Sequence, residues 1–114
     1  MSAEKVANLT GEILKGLLPD AIMERPQKSD FNAMLEPGSY LINPEAVKSN
    51  YPAGIYSYGV LIVAKGGDFT AQIYIPHRIS QGIAHALAFR VYYSASGAFS
   101  NWIALPVTSI TVQS

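Results

Sequence analysis

The stretch that decides the fold runs Tyr58-Gly59-Val60-Leu61-Ile62-Val63-Ala64-Lys65-Gly66-Gly67-Asp68-Phe69-Thr70-Ala71-Gln72-Ile73-Tyr74-Ile75. Its first arm is a continuous apolar and β-branched run. A strand covered on both faces reads this way, because neither face needs a polar residue. The second arm alternates. Phe69, Ala71, Ile73 and Ile75 fall on one face, and Thr70, Gln72 and Tyr74 on the other. That pattern predicts a strand with the apolar set on the dry face and the polar set on the wetter one. Gly66-Gly67-Asp68 joins the arms, and glycine tolerates the positive φ that tight hairpin turns demand. The expectation is a central β-hairpin.

Shorter strands flank it. Ser39-Tyr40-Leu41-Ile42-Asn43 precedes it, after a Glu36-Pro37-Gly38 turn. The breakers Asn43-Pro44, Ser49-Asn50, Pro52 and Gly54 make the intervening residues a loop. Pro76 should close the second arm, since proline cannot donate in a ladder. His77 to His85 then reads as a loop around Gly82. Ala86 to Tyr93 is a further strand, with Leu87, Phe89, Val91 and Tyr93 opposite Ala88, Arg90 and Tyr92. Phe99 to Leu105 carries the single tryptophan, and Pro106 opens a last alternating run through Val112. Asp30-Phe31-Asn32-Ala33-Met34-Leu35 reads as one helical turn, capped by Ser29 or Asp30, with Phe31 sharing a face with Met34 or Leu35. Short strands punctuated by glycine and proline predict an all-β, sandwich-like domain of five to seven antiparallel strands over residues 30–114.

Residues 1–29 differ. Val6, Leu9, Ile13, Leu14, Leu17, Leu18 and Ile22 recur at helical spacing. Gly11 and Gly16 each cost a helix about 1 kcal/mol against alanine, and Pro19 ends or kinks it. So marginal a helix must bury its stripe on something: its own domain, sister copies, or a larger assembly that it joins as an attachment arm. Arg25-Pro26-Gln27-Lys28-Ser29 reads as the linker.

Composition narrows the function. The 114 residues have formal net charge zero, only 14% are charged, and 49% are hydrophobic. A nucleic-acid footprint is therefore missing. So much apolar surface with so little repulsion points to oligomerisation. Cysteine is absent, which removes disulfides and thiolate metal sites. The longest apolar run is strand length, well short of the ~20 residues a bilayer requires. His77 and His85 stand eight apart without a carboxylate partner nearby in the sequence, so neither a metal nor any other cofactor is expected. There is no Gly-x-Ser-x-Gly elbow and no phosphate-cradling glycine loop, and nothing brings Glu36, Glu45 or Asp68 together as a carboxylate pair. The chain is not expected to be an enzyme.

Binding fits better. Tyr56, Tyr58, Tyr74, Tyr92 and Trp102 offer flat apolar faces with polar tips, and Gln72, Arg90 and Asn101 offer hydrogen bonds. Sugars present C–H faces and hydroxyls to such plates. The competing reading makes Trp102 a core residue and Arg90 a partner of Glu36, Asp68 or a tyrosine ring.

One ordered set of residues carries a resemblance. Asp30-Phe31-Asn32, Pro37-Gly38-Ser39-Tyr40, Pro52-Ala53-Gly54, Tyr58-Gly59-Val60-Leu61-Ile62-Val63, Gln72-Ile73-Tyr74, Phe89-Arg90-Val91-Tyr92 and Phe99-Ser100-Asn101-Trp102 follow one another as in the pyocin-knob module of phage tail fibres and tailocin fibres. The likeness spans residues 30–105. It implies a compact β-rich knob in a homotrimeric virion fibre. Residues 1–29, through Val6, Leu9, Ile13 and Leu17, would attach to other virion proteins. The knob would bind host surface polysaccharide through Tyr56, Tyr58, Gln72, Tyr74, Arg90, Tyr92 and Trp102. The alternative is a structural cap, spacer or trimerisation module that touches no receptor. Neither nucleic acid nor membrane is expected as a partner. Such modules sit within long fibre chains, so the short lead here suggests a small virion protein or a piece of a fibre.

Overall fold

A computed structural model describes residues 23–45 and 49–110. The proposed arm residues Val6, Leu9, Ile13 and Leu17 lie outside these. The described chain is all-β, with seven strands in one mixed sheet. They are β1 (Glu24–Arg25), β2 (Gly38–Ile42), β3 (Gly59–Lys65), β4 (Phe69–Pro76), β5 (Gly82–Tyr93), β6 (Ala98–Phe99) and β7 (Ile103–Val107). The order is β1-β2-β3-β4-β5, with β6 and β7 both on the far edge of β5. All pairings are antiparallel except β1 with β2. Among the described residues the strands form this one sheet, with a short turn and a loop over one of its faces.

The central hairpin forms as the sequence predicts, with Lys65 opposite Thr70 and Gly59 opposite Pro76. The reason for its glycines differs. Neither Gly66 nor Gly67 is among the glycines with positive φ. A Cβ on Gly66 would instead meet the Phe69 ring at 2.5 Å, so that glycine makes room for an aromatic side chain. Other boundaries also move. Gly82 to His85, expected as loop, already belong to β5, with a register shift between Gly82 and Leu87 in its pairing with β7. The Phe99–Leu105 run breaks at Ser100-Asn101-Trp102 into β6 and β7. Pro106 lies inside β7 instead of opening a further strand, and β7, which among the described residues pairs only with β5, tolerates it as an edge strand does.

The expected linker is stitched to the domain. β1 pairs with β2, Ser39 N–H donates to the Met23 carbonyl at 2.9 Å, and Arg25 Nε donates to the Pro37 carbonyl at 3.0 Å. Gln27 Oε1 accepts from Asn43 N–H, and the Ser29 carbonyl accepts from Ser49 N–H at 3.2 Å.

The largest correction concerns which face is inside. Thr70, Gln72 and Tyr74 are buried, while the expected dry-face residues Ala71, Ile73 and Ile75 are only half-buried and Phe69 is exposed; on the next strand Ala86, Ala88 and Arg90 are buried and Leu87, Phe89 and Val91 half-buried. Polar side chains go inward because the turn above them requires hydrogen-bonding partners. Phe31–Ala33 form a 3₁₀ turn capped by Asp30, whose Oδ1 accepts from Asn32 N–H at 2.8 Å. Phe31 and Met34 are fully buried against Tyr40, Ile42, Leu61, Val63 and Tyr74. Burying each contributes on the order of 1.5–3 kcal/mol. It also drags their carbonyls out of water, and the turn itself supplies only the Met34 N–H, which donates to the Phe31 carbonyl at 3.1 Å. Gln72 Nε2 donates to both, at 2.7 Å to Phe31 and 2.9 Å to Met34. Arg90 Nε then donates to Gln72 Oε1 at 2.7 Å, and its Nη2 to Asn32 Oδ1 at 2.8 Å. Among the described residues no buried side-chain nitrogen or oxygen lacks a partner.

Two substitutions test this arrangement. Gln72→Leu removes the side-chain donor to the Met34 carbonyl and one acceptor of the Arg90 guanidinium, which keeps Asn32, so a loss of about 1–3 kcal/mol is expected in equilibrium urea unfolding. Gly38 has φ +148, and a Cβ there would sit 2.5 Å from the Met23 carbonyl oxygen and 2.8 Å from Arg25 Cγ. Gly38→Ala should therefore unpair β1 and raise amide exchange at Ser39, with the remaining strands still protected.

Candidate functional site

Antiparallel pairing brings three strand ends together. Tyr56 and Tyr58 lead into β3, His77 and Arg78 follow β4, and Ala84-His85 lie near the start of β5. The backbone ties them: Tyr56 N–H donates to the Ala84 carbonyl and His77 N–H to the Tyr58 carbonyl, both at 2.7 Å. The Tyr74 hydroxyl donates from beneath to the Tyr56 carbonyl at 2.5 Å. Burial, with a smaller contribution from Tyr56, raises the Tyr74 phenol well above its ordinary value, so it stays a donor.

The side chains form a ring cluster. Tyr56 stacks on His85, with centroids 6.3 Å apart and planes at 29°. It lies 6.4 Å from His77, whose ring meets Tyr58 edge-on at 5.0 Å. The Arg78 guanidinium stands 5.6 Å from the Tyr56 centroid, within cation–π range. His85 Nδ1 lies 3.0 Å from the Arg78 carbonyl. A carbonyl only accepts, so Nδ1 carries the proton in that contact and Nε2 is left for another partner. Among the described residues none hydrogen-bonds to the hydroxyls of Tyr56 and Tyr58. Beside the cluster lies a cleft of about 170 Å³, walled by Tyr51, Pro52, Ile55, Tyr56 and Ser57 and floored by Phe31 and Tyr74. Tyr56 belongs to both. Drug-sized pockets run from ~300 Å³, so this cleft can take only part of a ligand, with the remainder lying over the rings.

The other sequence-derived candidates separate from this cluster. Gln72, Tyr74 and Arg90 are buried and committed to internal partners, so they do not offer the ligand contacts expected of them. Tyr92 and Trp102 join Arg90 in a second, packed group. The guanidinium carbon sits 4.0 Å from the Phe99 centroid and 4.7 Å from that of Trp102, while Tyr92 and Phe99 lie 4.7 Å apart. The expected acidic partners Glu36 and Asp68 are replaced by rings and amides. Burial lowers the Arg90 guanidinium to about 10, partly offset by Asp30, and it remains charged at neutral pH. Trp102 is half-buried, meets Phe31 edge-on at 5.8 Å and donates Nε1–H to the Asn50 carbonyl at 3.0 Å. Asn50 takes φ +60 and donates Nδ2–H to Asp30 Oδ1 at 2.8 Å, which closes the loop over the capped turn.

His77, Arg78 and His85 were not among the binding candidates, because in the sequence the two histidines stand eight apart in an expected loop, away from the tyrosines they meet here. Hairpin register was the available signal, since Gly59 opposite Pro76 sets Tyr58 beside His77. No group of three or more His, Asp or Glu that could hold a metal occurs among the described residues. Among them, too, no helix is long and apolar enough to cross a membrane. No family model matches the chain, and neither the curated proteins nor the solved structures contain a match.

The Arg90 group has a direct readout, because Trp102 is the single tryptophan. Arg90→Ala should shift Trp102 emission to the red as its ring loses the guanidinium. Asp68→Ala, at the distant hairpin turn, should leave the spectrum unchanged.

Proposed function

We propose that this chain is a virion attachment component: a fibre knob or decoration-type protein, homotrimeric, displayed on the phage particle and binding host surface glycan. It acts by binding and carries out no catalysis. The observation that carries this reading is the Tyr56–Tyr58–His77–Arg78–His85 cluster beside a small cleft. Two tyrosine faces supply plates for sugar C–H groups, and their unengaged hydroxyls supply hydrogen bonds. Arg78 and the imidazoles add donors, which favours a saccharide bearing carboxylate or phosphate. The ordered resemblance to the pyocin-knob module supplies the fibre setting, and residues 1–29 would join the knob to other virion proteins. A single site of this kind is weak. Repeated copies raise avidity by roughly 10²–10⁴ where several engage at once.

The second reading is a trimerisation cap or spacer without a receptor. What favours it is the broad apolar outer face of the sheet, which suits assembly and needs no ligand.

Binding to whole host cells and to their purified surface polysaccharide discriminates between them. Tyr56→Ala keeps both backbone hydrogen bonds of residue 56, so the variant should remain folded. It should lose about tenfold in affinity, or ~1.4 kcal/mol. Arg78→Ala should weaken binding to acidic polysaccharide more than to neutral polysaccharide. No binding to any susceptible host, with normal adsorption by particles lacking the protein, would leave the spacer reading standing.

A further inference from the structure

The lining of the cleft beside the ring cluster narrows what it can hold. Phe31, Ile42, Pro44, Pro52 and Ile55 are apolar, and among the described residues no Asp, Glu, Lys, Arg or His side chain lines it. The Tyr74 hydroxyl at the floor is already committed, since it donates to the Tyr56 carbonyl. Ser57 is exposed and places a hydroxyl on the wall. At about 170 Å³ the cleft is close in size to the ~150 Å³ apolar cavity that holds one benzene molecule. A hexose has about twice as many heavy atoms as benzene, so a whole sugar does not fit. Its hydroxyls, once buried, would also need partners that this floor does not supply.

We propose that the cleft is the subsite for the acetyl group of an acetylated acidic saccharide, whose carboxylate or phosphate is held at Arg78. The proposal rests on the glycan reading above and names the substituent that sets its specificity. An anion inside the cleft would lose its hydration without a cation to pair with. A lone methyl group, as on a deoxy sugar, would leave most of the volume unfilled and its lining without contacts. An acetamide or acetyl ester fits between these limits. Its methyl packs on the apolar floor, and its carbonyl oxygen stays near the mouth, where the Ser57 hydroxyl can donate to it. Tyr56 walls the cleft and has the Arg78 guanidinium 5.6 Å from its ring centroid. Both subsites thus border one ring, and one sugar or two adjacent ones reach from the first to the second. The charged part of the ligand stays over exposed cations and the apolar part enters the uncharged cleft, so each meets a complementary surface.

The test titrates the full chain by calorimetry with purified host surface polysaccharide in four forms. These are the native polymer, the polymer after mild alkali (which removes acetyl esters), after hydrazinolysis (which also removes acetamides), and after N-re-acetylation. The expected result is an affinity about tenfold weaker after one of the two de-acetylations. Loss at the alkali step assigns an ester. Loss at the second step, reversed by N-re-acetylation, assigns an amide. Ser57→Phe, a change at an exposed position, should fill the mouth of the cleft with the circular dichroism spectrum unchanged. It should weaken binding of the native polymer by a similar factor and leave binding of the de-acetylated polymer as it was. Equal affinity for all four forms, or for a host polysaccharide that carries no acetyl group, would overturn the acetyl subsite and leave the glycan reading intact. Acetyl-dependent binding that survives Ser57→Phe would overturn the cleft as the place where the acetyl group sits. A folded protein that binds no native polysaccharide would overturn the subsite and the glycan reading together.

Discussion

Gln72 is the constraint on which the structure turns. Its amide donates to the carbonyls of Phe31 and Met34, and its oxygen accepts from Arg90. One side chain therefore links the capped turn to β4 and β5. The turn can bury two large apolar side chains because its carbonyls find donors below. Arg90 can sit at 5% exposure because Gln72, Asn32 and the faces of Phe99 and Trp102 surround it. Unpaired, any of these groups would cost more than the pair contributes, so the network holds as a unit.

Two functional consequences follow from this inward turn of the polar face. Strand side chains alternate strictly, so drawing Gln72 and Arg90 inward sends Ile73 and Phe89 outward. The sheet thus carries its apolar set on the face away from the capped turn. The same sheet holds the Tyr56 cluster at one end, on three strand ends fixed by the ladder. The apolar outer face and the Tyr56 cluster are thus separate surfaces of one sheet.

Much of the fold was legible. The hairpin, the Asp30-capped turn and the strand around Tyr40 were readable from alternation and breakers. The face assignment was not, because alternation reveals two sets of residues without saying which is inside. Composition favours the apolar set, and here the hydrogen-bond demand of a turn 38–41 residues earlier in the chain overrode it. β1 escaped notice because two residues are too few for any period, and its pairing depends on the room Gly38 leaves. Of the seven candidate binding residues, Tyr56 and Tyr58 stand half-buried in the ring cluster with His77, Arg78 and His85. Gln72 and Arg90 fall in the polar network, Tyr74 lies beneath the cluster, and Tyr92 and Trp102 pack beside Arg90. Aromatic and polar residue types are shared by cores and sugar sites, so only their placement separates the two uses.

The inward placement of Gln72 is tested most directly by NMR of its side-chain amide in the full chain. The buried network predicts Nε2 protons that exchange slowly with water and give NOEs to residues 31–34. A freely exchanging amide at random-coil shifts, with NOEs linking Ile73 to Phe31 instead, would place the apolar set inside and contradict the arrangement.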